Sequence, residues 1–150
     1  MKTLVVYDSV YGNTKTIAEA IAGAIPGDVQ LLAAGGADAS NLQAGDLLIV
    51  GAPTQGGRPT EAAQRFLDGI STQALAGVRV AGFDTRLSAR WVRIFGYAGP
   101  KIAAALKDKG GTPVGSAGGF CVTGKEGPLA EGEVERAAAW AREVAGKAAA

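Results

Sequence analysis

The stretch VVYDSVYGNTKTIAEAIA, residues 5–22, decides how the chain is read. Thr3 to Tyr7 is a continuous β-branched and apolar run, the pattern of a strand buried on both faces. Ile17, Ile21, Ala24 and Ile25 then recur at helical spacing. Between strand and helix lies a turn with three hydrogen-bonding side chains (Ser9, Asn13, Thr14) and one glycine. The first amides of a helix have no partner within it, and the helix dipole favours negative charge there. Gly12 permits a positive φ and a close backbone approach. The natural guest of such a turn is a phosphate. The alternative is a capped helix with a tight turn, because Ser, Asn and Thr are also good caps.

Working outward, Pro26-Gly27-Asp28 stops the helix. Val29 to Ala33 reads as a second strand, followed by a loose stretch from Gly35 to Gln43. Asp46 to Gly51 is a third strand, and Ala52 to Pro59 a loop. Thr60 is placed to cap a helix that buries Ala63, Phe66, Leu67 and Ile70. Val78 to Phe83 is a fourth strand, ending at Asp84-Thr85-Arg86 and a polar loop to about Phe95. A helix from about Tyr97 to Lys109 buries Ala98, Ile102, Ala105 and Leu106, and Gly110-Gly111 ends it. Thr112 to Val122 reads as a fifth strand broken by Gly115 to Gly119. The last helix, from about Ala130 to Ala145, has an inner face of Val134, Ala137, Ala138, Ala141 and Val144. Strands alternate with helices and the central strands are apolar throughout. The expectation is an α/β fold, a parallel sheet with helices on both faces, in a single domain spanning residues 1–150.

Composition narrows the chemistry. Of 150 residues, 47% are hydrophobic and 19% charged, as in an ordinary globular domain, and the net charge is +1. Near-neutrality argues against nucleic acid or an anionic membrane as a partner. There is no apolar run of about 18 residues and no secretory leader pattern, so a cytoplasmic protein is expected. The chain has no histidine and one cysteine, Cys121. That removes Ser-His-Asp and Cys-His catalysis, disulfides within the chain, and the imidazole ligands usual in zinc and non-haem iron sites, and no metal is expected. Redox chemistry would fall to a bound organic cofactor. Cys121 itself reads as a small apolar core residue.

In sheets of this kind, ligands bind beyond the carboxyl ends of the strands. Three informative loops lie there: Ser9–Thr14, Pro53–Arg58, and Asp84 to about Ile94. The first is not a dinucleotide fingerprint, since Gly-x-Gly-x-x-Gly is absent. Residues 119–126, GFCVTGKE, match seven positions of a nucleotide P-loop, but Glu126 stands where Ser or Thr must reach magnesium, so the match reads as coincidence.

VYDSVYGNTKTIAEAIA followed by DLLIVGAPTQGG resembles the flavodoxin family, and the closing GFCVTGKEGPLAEGEVERAAAWA is similar to the C-terminal part of small flavodoxin-like proteins. The resemblance runs from Lys2 to about Ala145. It implies a flavodoxin-like three-layer sandwich with a five-stranded parallel sheet of order 2-1-3-4-5, holding non-covalent FMN. Carried over residue by residue, Ser9, Val10, Tyr11, Gly12, Asn13 and Thr14 wrap the phosphate without a balancing basic side chain. Pro53, Thr54, Gln55 and Gly56 lie against one side of the isoalloxazine ring. Asp84, Thr85, Arg86 and Leu87 border the other side through their backbone.

The chain also departs from the family. Many flavodoxins stack a tryptophan from the second loop and a tyrosine from the third on the flavin. The second-loop position here is Gln55, and Trp91 or Arg90 falls near the tyrosine position. Electron-carrier flavodoxins are strongly acidic, whereas Arg58, Arg86, Arg90 and Arg93 crowd these loops. Aimed at the ring, the arginines would stabilise reduced flavin; the other reading leaves them solvated or paired with carboxylates on the surface. No residue is assigned a catalytic role. The leading expectation is an FMN-binding electron carrier, monomeric or weakly dimeric, working between redox partner proteins. Two alternatives stay open: an FMN-dependent NAD(P)H:quinone-type reductase, and a flavodoxin-like interaction module with weak flavin binding.

Overall fold

The computed structural model describes residues 1–88 and 96–150. The chain runs β1 (Lys2–Tyr7), α1 (Asn13–Ala24), β2 (Asp28–Ala33), a short 3-10 turn (Ala34–Gly36), β3 (Leu47–Pro53), α2 (Glu61–Asp68) and β4 (Arg79–Leu87). It continues with α3 (Ala98–Asp108), β5 (Thr112–Pro113), β6 (Gly118–Val122) and α4 (Glu133–Ala149). The sheet order is β2-β1-β3-β4-β5, and β6 also pairs with β4. All of these pairings are parallel. The expected fifth strand therefore exists as two segments along one edge of β4, interrupted at the glycine-rich stretch.

The alternation of side chains along each strand builds two cores, one per face. Leu4, Val6, Leu48, Val50 and Val80 pack against Phe66 and Leu67 of α2 and Ile102 and Leu106 of α3. Val5, Leu47, Ile49, Ala81 and Phe83 pack against Ile17 and Ile21 of α1 and Ala137, Ala141 and Val144 of α4. Strands with apolar residues at every position are what a sheet covered on both faces requires. The second core also holds an aromatic cluster: Phe83, Phe120 and Trp140, with ring centroids 6.0–6.4 Å apart. Gly51 lies beneath the Phe83 ring, where a Cβ would come within 2.1 Å of ring carbon. That close approach is the reason for glycine in the middle of β3.

Several local expectations are corrected. β4 continues to Leu87, so Asp84, Thr85 and Arg86 are strand residues rather than the start of a loop. They pair with Ala52 and Pro53 on one side and with β6 on the other, and ladder hydrogen bonds on both edges hold the polar residues extended. β3 likewise runs on to Pro53. Thr60 is the residue before α2, but its buried hydroxyl makes no hydrogen bond within the described residues. The last helix begins at Glu133, three residues later than expected, and Val134 is 39% exposed instead of facing inward. Glu133 is the buried residue of that turn, because its carboxylate accepts the Cys121 amide at 2.6 Å and pairs with Arg136 at 2.8 Å. Cys121 is half-buried rather than part of the core; it alternates with buried Phe120 and Val122 along β6.

Candidate functional site

The sheet order reverses direction of growth between β1 and β3, which opens a crevice beyond their carboxyl ends. The chain leaves β1 there, with the Asp8 amide donating to the Gly51 carbonyl at 3.0 Å. The following turn is closed by Ser9, whose Oγ accepts the amides of Gly12 at 3.1 Å and Lys15 at 3.3 Å. Gly12 precedes α1 at φ +93°, and a Cβ built on it would meet nothing within 4 Å. The Cβ direction of Gly12 thus faces open space at the start of a helix, while Ser9 takes the amides of Gly12 and Lys15. This is the geometry of an anion cradle.

The other polar side chains of this turn are tied down. Thr14, 1% exposed, shares a 2.8 Å hydrogen bond between its hydroxyl and that of Thr85 at the end of β4. Asn13 donates through Nδ2 to the Glu126 carbonyl at 3.1 Å. These side chains fix the shape of the cradle and join it to β4 and to the 123–128 turn.

The second loop is equally constrained. Gln55 and Arg58 exchange backbone hydrogen bonds at 2.8 and 3.0 Å, around Gly56 and Gly57 at φ +56° and +79°. Two consecutive positive φ angles define the tight hairpin geometry that glycine supplies without steric cost. The Thr54 amide donates to the Thr85 carbonyl at 2.9 Å, and the Thr54 hydroxyl accepts the Ala98 amide at 3.1 Å. Lys101 donates to the Gly57 carbonyl at 2.5 Å.

At the end of β4, Asp84 is fully buried. Arg86 forks onto both of its oxygens at 2.7 Å, and the Gly99 amide donates to Oδ2 at 2.8 Å. The Arg86 guanidinium also lies 3.5 Å over the centroid of the Tyr97 ring. Burial works against the charge of Arg86, but the hydrogen bonds and charge of Asp84 outweigh it and hold its pKa above the ordinary value. Arg86 is thus paired with a carboxylate, a buried one rather than one on the surface, while it also lines the crevice. Trp91, Arg90 and Arg93 lie outside the described residues.

Two cavities open in the crevice. The smaller, about 90 Å³, is bounded by Ser9, Val10, Tyr11, Asn13 and Thr14 on one side and by Thr54, Thr85, Arg86 and Leu87 on the other. The larger, about 470 Å³, is lined by Val10, Tyr11, Pro53, Thr54, Gln55 and Gly56. Its size lies within the ~300–1,000 Å³ common for small-molecule sites. Lys125 lines both. The structure thus brings the 9–14 turn, the 53–56 loop and residues 85–87 together, leaves Asp84 behind them as a support, and adds Lys125 and Val122, which the loop analysis of the sequence overlooked. The signal was available: the turn after the fifth strand also lies at a carboxyl end. A separate hollow of about 390 Å³ lies between residues 34–39 and α2, with Asp38 and Arg65 among its lining residues, and no comparable set of loops converges on it.

The sequence model of the family described as Flavodoxin matches residues 5–140. The chain belongs to the flavodoxin family. Flavodoxin 2 from Bacillus cereus is 28% identical, with a TM-score of 0.79 over 98% of this chain and 99% of that one. A flavodoxin from the domain Archaea is 22% identical, with a TM-score of 0.78 and 99% of each chain covered. The flavodoxin, WrbA-like protein from Agrobacterium tumefaciens is 24% identical, with a TM-score of 0.72 over 98% of this chain and 96% of that one. No curated protein sequence matches the chain. Flavodoxins bind FMN, and the crevice fits that cofactor. The open backbone at Gly12 suits a phosphate, and the larger cavity beside it has mixed apolar and amide walls suited to a planar ring.

Proposed function

We propose that this flavodoxin-family chain carries electrons between redox partner proteins through FMN held in the crevice beyond β1, β3 and β4. The observation that supports this most is the meeting of the 9–14 turn with the 53–56 and 85–87 segments around adjoining cavities.

Ser9, Val10, Tyr11, Gly12, Asn13 and Thr14 would surround the phosphate, mainly through backbone amides, since Asn13 and Thr14 spend side-chain hydrogen bonds on neighbouring segments. Pro53, Thr54, Gln55 and Gly56 would lie along one side of the ring. Thr85, Arg86 and Leu87 would border it from β4, with Asp84 positioning Arg86 from behind. Trp91 is retained as a candidate ring contact. Bound FMN would supply the electron-accepting chemistry, and no side chain is needed as acid, base or nucleophile. The protein's part is to fix the ring's position and screen it from water. Asp84 neutralises Arg86, so the guanidinium contributes less field to the cavity than its charge alone implies.

The test is an FMN titration of the purified apo-protein followed by flavin fluorescence. Saturation at one FMN per chain is expected, with slow reduction by NADPH alone and fast electron exchange with a redox partner protein. Rapid reduction by NADPH alone would reassign the chain as a reductase. Lack of binding at tens of micromolar FMN would overturn the flavin assignment altogether.

A further inference from the structure

Tyr11 carries a side chain that the phosphate reading of its turn leaves unused. The other aromatic residues described by the structure are all packed or paired. Phe66 lies in the core beneath α2 and α3, and Tyr7 packs against the core on the opposite face. Phe83, Phe120 and Trp140 form the aromatic cluster, and the Tyr97 ring lies under the Arg86 guanidinium. Tyr11 is 47% exposed. Its phenol makes no hydrogen bond, ring contact or cation contact among the described residues.

A single exposed aromatic side chain is ordinary on a protein surface. Its position sets this one apart. Tyr11 lines both cavities of the crevice and is the one aromatic residue, among those described, that lines either. The second loop brings Pro53, Thr54, Gln55 and Gly56 to the larger cavity, and none of these is aromatic. The Tyr11 backbone is held at the cavity margin because Ser9 Oγ accepts the amide of the next residue, Gly12, at 3.1 Å. The phenol ring beyond it is free to turn about its own side-chain bonds and cover a planar guest. Stacked aromatic faces add an attraction beyond the area they bury, and the amide and proline walls of this cavity lack it.

Resting on the flavin assignment above, we infer that Tyr11 is the aromatic residue that stacks on the isoalloxazine ring, supplied by the turn before α1 in place of the second loop. One short turn then serves both ends of the cofactor, its backbone amides the phosphate and the Tyr11 side chain the ring.

The experiment compares the wild-type chain with Tyr11→Phe and Tyr11→Leu. Dissociation constants for FMN and riboflavin are measured by equilibrium dialysis, and the emission of each bound flavin is recorded separately. Riboflavin lacks the phosphate and so reports on the ring. Tyr11→Leu is expected to weaken both flavins alike, by about tenfold, through loss of the stacked face. Tyr11→Phe keeps that face, so its affinities should stay within about twofold of wild type. Emission separates the two side chains in another way. A stacked phenol lends one electron to the excited flavin and takes it back, which quenches emission and consumes nothing; a phenyl ring is too hard to oxidise to do this. Flavin bound to wild type should therefore be dark, and flavin bound to Tyr11→Phe bright. Because Tyr11 is exposed, both apo variants should unfold at the wild-type temperature. Flavin that stays quenched in Tyr11→Phe overturns the inference, as does Tyr11→Leu binding both flavins as tightly as wild type. Weakening of FMN with riboflavin unchanged would put the side chain on the phosphate and overturn it too. A wild-type chain that binds neither flavin overturns the flavin assignment itself, and the inference with it.

Discussion

Asp84→Asn isolates the support behind the β4 side of the site. The carboxylate is fully buried and receives three hydrogen bonds: two from Arg86 at 2.7 Å and one from the Gly99 amide at 2.8 Å. Asparagine keeps the shape but replaces one acceptor with an NH₂ group, which must then face a donor. If Oδ1 stays with Gly99, the NH₂ confronts the guanidinium; if it turns to Arg86, the Gly99 amide is orphaned. One charge-assisted bond is lost, worth about 1.5–3 kcal/mol. The guanidinium is also left without its counter-charge. Breaking a buried pair costs about 3–5 kcal/mol, but the Arg86 side chain is 20% exposed, so water reaches it and the lower end applies. The expected destabilisation is therefore about 3 kcal/mol, which for a domain of this size lowers Tm by about 6–12 °C. Thermal unfolding followed by circular dichroism, with urea titration as a check on cooperativity, reads this directly. Arg86→Met in the Asp84→Asn background removes the orphaned charge, so the double variant should be more stable than Asp84→Asn alone. Destabilisation of less than about 0.5 kcal/mol by Asp84→Asn, or a double variant as unstable as the sum of the singles, would refute the account of a charge held by its partner.

Gly12→Val places a β-branched residue at φ +93° and fills the open cradle; it should cost about 1–2 kcal/mol of stability and lower FMN affinity at least tenfold by fluorescence titration, with riboflavin affected less. Glu133 carries the pH dependence: hydrogen bonds from Arg136, against the opposing effect of burial and with help from the Cys121 amide, hold its pKa below the ordinary value of 4.5. A depressed carboxylate stabilises the fold fully above its unfolded pKa and loses that contribution as pH falls through the folded value. The urea midpoint of wild type should therefore exceed that of Glu133→Gln near pH 7, and the gap should narrow on acidification below about pH 4.5; a gap that stays constant to pH 3 would rule out the linkage.

Much of this protein was determined by sequence alone. The apolar runs at 3–7 and 47–52, with helical periodicity between strands, require a parallel sheet covered on both faces, because no other arrangement buries strands that lack a polar side. The turn at 9–14 and the glycines at 56 and 57 are legible for the same local reason: their chemistry is confined to a few consecutive residues. What escaped depended on contacts between distant segments. Asp84, Thr85 and Arg86 look like a polar loop, but ladder pairing with β3 and β6 draws them into β4 and a counter-charge 2 residues away lets Asp84 be buried. Glu133 is buried and Val134 exposed because the Cys121 amide, 12 residues upstream, needs an acceptor. Lys125 reaches the site only because Asn13, 113 residues from Glu126, holds its turn in place. Hydrogen-bond satisfaction across such separations is a property of the packed sheet, where an unpaired buried group is too costly to leave, and it carries no local pattern from which it could be read.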